Sequence, residues 1–264
     1  MKRATLRHLL VATALLCTCA KTVHATPAAQ VWIPSTDTQP FGTVRLNILN
    51  FFRASGVPRS TTASRDPSML DIGPTIGILP YEKIQMEAGF DYMTLAGDPN
   101  DNHPFSFNAK IATPEDSLCK FSPALAIGGY NLGPSVSAVD APFVTSGQNI
   151  VYALAARTLP VVGRISAGYY RGSRHALVDS RLDPEKAQNE GLLLSWDRPM
   201  PEISDKLWVG VDYMGGNNIN GSVNFGVSWA FAKNASLLVG YDVWKEKSLA
   251  GNNTFTTQLG INFP

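Results

Sequence analysis

Lys83-Ile84-Gln85-Met86-Glu87-Ala88-Gly89-Phe90-Asp91-Tyr92-Met93 alternates almost without a break. In an extended chain successive side chains point to opposite faces, so Ile84, Met86, Ala88, Phe90 and Tyr92 share one face. Lys83, Gln85, Glu87, Gly89 and Asp91 share the other. A helix would scatter the same residues around its axis, so the stretch predicts a strand with one greasy and one wet side. Val223 to Phe231 repeats the pattern, with Val223, Phe225, Val227, Trp229 and Phe231 opposed to Asn224, Gly226, Ser228 and Ala230. Leu237, Val239, Tyr241 and Val243 do so again against Gly240 and Asp242.

Nine further segments, at about 41–52, 69–79, 105–112, 122–131, 149–158, 161–171, 191–198, 207–215 and 253–263, bring the expected strands to twelve. Many approach the roughly 9–11 residues that a tilted strand needs to cross a bilayer. Their connections alternate in length, as in barrels with short turns at one end and long loops at the other. Arg53 to Ser68, Thr94 to Pro104, Leu132 to Gln148 and Gly172 to Glu190 are long, while Pro80 to Glu82, Thr158 to Pro160 and Ala232 to Ala235 are short. Residues 113–121 are long for a turn, and Gly215 to Ile219 is short for a loop.

The chain has 264 residues, a formal charge of +1 and 16% charged side chains, which argues against a nucleic-acid partner and against disorder. Lys2, Arg3 and Arg7 precede an apolar stretch from Leu9 to Cys17 and the small-residue site Val23-His24-Ala25, the pattern of a cleavable secretory signal peptide over residues 1–25. Residues 26–40 are then expected as an N-terminal periplasmic segment and 41–264 as the barrel. Beyond the signal, Cys119 is the sole cysteine, so no internal disulfide is available to staple the fold.

A soluble sandwich also alternates, but its outer face needs Lys and Glu in quantity to stay dissolved. Here the polar faces carry Gly73, Gly77, Gly89, Gly128, Gly168, Gly210, Gly226, Gly240 and Gly260 with scattered charge, which suits a crowded barrel interior. Aromatic residues near the strand ends, among them Phe51, Phe52, Phe105, Tyr152, Tyr169, Trp196, Tyr213, Trp229, Phe231, Phe255 and Phe263, suit a membrane interface. The expected fold is therefore all-β: a closed antiparallel up-and-down transmembrane β-barrel of about twelve strands.

Phe255, Thr257, Leu259, Ile261 and Phe263 form one face running almost to the end of the chain. This resembles the C-terminal strand recognised by barrel-assembly machinery in bacterial outer-membrane β-barrel proteins, although Pro264 follows the terminal aromatic. Gly89-Phe90-Asp91-Tyr92 and Phe107-Asn108-Ala109-Lys110 are similar to stretches in uncharacterised envelope proteins. The resemblance implies the outer membrane as location, its lipids as surroundings and the assembly machinery as a partner during biogenesis.

Parity places Arg45, Lys83, Glu87, Asp91, Lys110, Arg157, Arg164, Asp197, Asp212, Asp242 and Lys245 toward the lumen. Of these, Arg45, Glu87, Asp91, Lys110, Arg157, Arg164, Asp212 and Asp242 are the selectivity candidates of a small porin-like diffusion channel for ions or small polar solutes. The same charges could instead pair and plug the interior, giving a non-conducting structural or partner-binding barrel. A lipid-modifying barrel enzyme is the third class. It needs a Ser beside a His, and neither His103 nor His175 sits in a His-x-Ser spacing, so no enzyme activity is expected. No metal or phosphate-loop motif points to a cofactor.

Overall fold

The computed structural model describes residues 29–53, 68–95, 104–134, 147–178 and 185–264. The expected signal peptide, His103 and much of the long connections lie outside the described residues. Twelve strands run in order: β1 (Val44–Arg53), β2 (Met69–Gly77), β3 (Gln85–Leu95), β4 (Phe105–Thr113), β5 (Ala124–Leu132), β6 (Ile150–Leu159), β7 (Gly163–Arg171), β8 (Glu190–Pro199), β9 (Leu207–Met214), β10 (Ser222–Ala232), β11 (Ala235–Trp244) and β12 (Thr254–Phe263). Two single-turn helices, α1 (Arg174–Leu177) and α2 (Lys247–Ala250), sit in connections. Each strand pairs antiparallel with its neighbours in sequence, and β12 returns to β1 from Val44 opposite Phe263 to Arg53 opposite Thr254. Closure leaves no edge strand, so the backbone bonds are satisfied within the wall itself.

The connections separate the two ends of the barrel. Among the described residues, 78–84, 114–123, 160–162, 200–206 and 233–234 lie at the turn end, and 133–134, 147–149, 172–178, 185–189, 215–221 and 245–253 at the loop end. The turn 114–123 is long because it folds back on the barrel rim. Asp116 accepts hydrogen bonds from the Phe121 amide (2.7 Å) and from Arg157 (2.8 Å), while Glu115 accepts from the Thr158 amide. The Arg157 guanidinium beside Asp116 holds that carboxyl below the usual range. The short loop 215–221 turns inward instead of outward: Asn218 is buried and donates to the Tyr170 hydroxyl (2.7 Å) and the Gln188 carbonyl (2.8 Å).

The outer wall is apolar. Along β9, β10 and β11 the outward ladder pairs Val209 with Val227 and Val227 with Val239, flanked by Phe225, Trp229 and Leu237. Val227 is 51% exposed, and Ile127, Phe107, Leu192 and Phe255 are exposed elsewhere on the same outer surface. So large and continuous an apolar exterior fits lipid contact. Phe52, Phe105, Tyr169, Trp196, Trp229, Phe231, Phe255 and Phe263 belong to it, whereas Phe51 and Tyr152 turn inward and are buried.

Candidate functional site

The bore is occupied. Residues 29–40, expected outside the barrel on its periplasmic side, run inside it. From Phe41, which bridges Gly77 at the turn end, the chain rises along the interior and reverses at Val31 and Trp32. There Ala29 pairs antiparallel with Pro34, and the Gln30 amide donates to the Ile33 carbonyl at 2.9 Å. The result is a short hairpin with its tip in the loop-end half.

Polar contacts fix its stem. Arg164 donates to Asp37 (2.7 Å) and to Asp197 (2.9 Å), so one guanidinium joins hairpin to wall. Asp197 also accepts from Gln30 (3.0 Å) and from the Trp208 indole (3.1 Å). Lys110 donates to the Ser35 carbonyl (3.2 Å) and the Asp37 carbonyl, and pairs with Glu87 at 3.0 Å. The other Glu87 oxygen accepts the Gln39 amide at 2.7 Å. These buried charges are tolerable because each finds a partner of opposite charge or a backbone dipole.

Apolar packing holds the tip. Ile33 joins Ile150, Tyr152, Leu154, Tyr170, Leu177, Leu193 and Met214 in a buried cluster. Leu177 belongs to α1, and its carbonyl accepts the Ile219 amide, so residues 172–178 and 215–221 cap this side of the mouth. Trp32 lies edge-on between Phe51 and Trp244, with ring centroids 5.1 and 5.0 Å away. Val31 rests against Trp208 and Leu238.

Hairpin and cap thus fill the β6–β9 side of the interior. A cavity of about 200 Å³ remains beside it, between Trp32 and Pro34 of the hairpin and an arc of wall that runs from Ser228, Leu238 and Gln258 of β10 to β12 through β1 to β5 and reaches Tyr152 of β6. Its wall is charged: Arg45 from β1, Asp71 from β2, Glu87 and Asp91 from β3, and Lys110 from β4. Register orders them along the axis. Asp71 stands level with Leu49, Asp91 opposite Gly73, and Arg45 opposite Thr75, with the Glu87–Lys110 pair nearest the turn end. Asn108 donates to Asp91 at 2.6 Å, and Arg45 donates to Asn47 at 2.8 Å.

The eight candidates therefore fall into three groups. Arg45, Glu87, Asp91 and Lys110 line the cavity. Arg164 and Asp212 face the bore on the filled side and bind the hairpin, and Asp242, inward on β11 and outside the cavity lining, accepts from Thr254 (2.7 Å). Arg157 does not face the lumen. Ile150, Tyr152, Leu154 and Ala156 are the inward residues of β6, so Arg157 has the opposite parity and pairs with Glu115 and Asp116 at the rim. Lys83 and Lys245 lie beyond their strands, exposed in connections. Asp71 was not among the expected lumen charges, although its strand parity with Thr75 carries the signal. His175 is exposed on α1.

No protein-family model matches the chain, and no curated protein matches it. Solved structures are similar in architecture. The COG4313 outer membrane channel from Pseudomonas putida F1 is 13% identical with a TM-score of 0.48, covering 87% of this chain and 98% of that one. Salmonella typhi OmpF, solved with daunomycin, is 10% identical with a TM-score of 0.42, covering 84% and 96%. A mutant porin of Rh. blastica is 10% identical with a TM-score of 0.38, covering 84% and 98%.

Proposed function

We propose that this barrel lies in the bacterial outer membrane and conducts small polar solutes or ions through a passage that its own N-terminal hairpin confines to the arc of wall from β10 to β12 and β1 to β5. The exposed apolar exterior supports the membrane location, and the basic-then-apolar N-terminus supports export. The observation that carries the channel reading is the cavity between hairpin and wall, lined by Arg45, Asp71, Asp91, Glu87 and Lys110. An interior meant only to be sealed would be filled there as it is on the β6–β9 side. Charges along a narrow passage act at low dielectric and therefore bias which ions enter.

The competing reading is a non-conducting barrel, favoured by the number of charge-assisted bonds between hairpin and wall. Planar-bilayer recording separates the two. A channel gives small discrete conductance steps, and Asp91→Asn shifts the reversal potential toward anions because a carboxylate on the passage wall is lost. Silence from a folded, bilayer-inserted barrel would establish the non-conducting reading instead.

A further inference from the structure

Asp212 is 1% exposed in the interior wall of β9, yet it does not line the cavity. Its Oδ2 accepts hydrogen bonds from three successive backbone amides at the hairpin tip: Val31 at 2.7 Å, Trp32 at 2.8 Å and Ile33 at 3.3 Å. Its Oδ1 accepts from the Asn224 side-chain Nδ2 at 2.7 Å, which also donates to the Ser222 hydroxyl at 3.0 Å. Consecutive amides converging on one point form a nest, a concave anion site whose dipoles add. Here the anion is supplied by the barrel wall and the nest by the hairpin. Gln258 of β12 completes the clasp by donating to the Val31 carbonyl at 2.6 Å.

The stem contacts of Arg164, Lys110 and Glu87 lie nearer the turn end, where Phe41 already ties the segment to the wall. They tie the stem to β7 through Arg164 and to β3 and β4 through Glu87 and Lys110, so the tip contacts decide which wall the Val31-Trp32-Ile33 end lies against. The apolar contacts of Ile33 are non-directional, whereas three amides on one oxygen fix both position and orientation.

We propose that Asp212 is the positioning residue of the channel: it latches the hairpin tip to the β9–β10 wall and thereby sets the width of the passage that remains beside the hairpin. The role of the latch in conduction rests on the channel reading above; its role in holding the hairpin does not. Removing the carboxylate frees the tip to leave the wall and spread its conformations across the bore. The latched state is then no longer dominant, and the passage fluctuates between wide and obstructed.

Amide hydrogen exchange of the full-length protein in lipid nanodiscs tests the latch without reference to conduction. In Asp212→Ala, protection at Val31, Trp32 and Ile33 is expected to fall about tenfold or more, the scale of a lost charge-assisted bond. Amides of β3, β4 and β7 keep theirs, which separates unlatching from loss of the barrel. Asp212→Asn keeps one acceptor oxygen in nearly the same shape and gives an intermediate loss. Unchanged protection at the three amides in a folded Asp212→Ala barrel overturns the proposal.

Bilayer recording then reads the consequence. Asp212→Ala is expected to give larger, noisier steps than the native chain. A Val31→Cys/Leu238→Cys pair, with Cys119→Ser, pins the tip to the wall on oxidation and restores small steps to Asp212→Ala. Lost protection without conductance in any variant would sink the channel reading and leave the latch standing. Lost protection with steps identical to the native ones would refute the control of width.

Discussion

Gly226 and Gly240 face each other across β10 and β11, where Val31 rests on the wall. A Cβ on Gly226 would stand 2.7 Å from Val31 Cγ2, the end of a hairpin side chain, whereas one on Gly240 would meet the Phe225 carbonyl at 2.7 Å, part of the wall itself. Both glycines make room for Val31, which a Cβ on Gly240 would approach to 3.2 Å, but at Gly226 the hairpin is the first obstacle and at Gly240 the wall is. Gly226→Val is expected to push the tip off the wall at an overpacking cost of about 1–3 kcal/mol. It leaves the barrel folded and lowers amide protection at Val31. Gly240→Val strains the strand pair, so a reduced yield of the heat-modifiable folded form on a gel is the expected sign, and equal behaviour of the two variants would contradict the distinction. Parity alone says that both glycines face inward, and it says the same of Arg45, Glu87, Asp91, Arg164 and Asp212. It sends Arg157 inward as well, and there it fails, because Val151 to Ala156 is apolar on both faces and period two vanishes along that strand. Nor does it tell a charge that lines a passage from one that holds a hairpin, since both sit on the wet face of a strand.

At the scale of the element, the twelve strands were legible because lipid outside and a polar lumen inside impose opposite demands on alternate residues. Val227 shows how strict the outer demand is. It sits midway along β10 between Val209 and Val239, remote from both ends of the barrel where a long side chain could reach headgroups. Val227→Arg is expected to cost about 2–4 kcal/mol, the range for a cation near the bilayer midplane. A denaturant titration of folding into lipid vesicles would measure it, and a loss below half a kcal/mol would mean that this face does not meet lipid. The hairpin was not legible in the same way. Residues 29–40 hold two prolines and no alternation, so they read as a tether. The available signal was compositional: Val31-Trp32-Ile33 is a large apolar triplet set between Gln30 and the polar run Ser35 to Gln39, and a solvated tether has no use for it.

For the whole molecule, the division of labour between wall and hairpin leads to a prediction about which part carries the fold. All twelve strand pairings, including β12 with β1, are made without any residue of the hairpin. Deleting residues 30–38 keeps Phe41 and Gly42 tied to Gly77 and removes no rung of the ladder. What is lost is the burial of Val31, Trp32 and Ile33 against the interior, with the bonds to Asp212, Asp197, Arg164 and Lys110. Those charges would not be stranded in a dry core, because the emptied bore fills with water that hydrates them, so the penalty for breaking buried pairs does not apply in full. The apolar contacts have no such substitute and set most of the cost, roughly 1.5–3 kcal/mol for each large side chain no longer covered. A closed barrel spreads its stability over every strand pair, so the shortened chain is expected to remain folded, with native mobility on an unheated gel and a lower unfolding midpoint in denaturant. Its conductance should exceed that of the native chain and that of Asp212→Ala, since no hairpin remains to obstruct the bore. Failure of the shortened chain to close would mean instead that the hairpin is a core around which the wall assembles, and the passage beside it would then be a packing remainder.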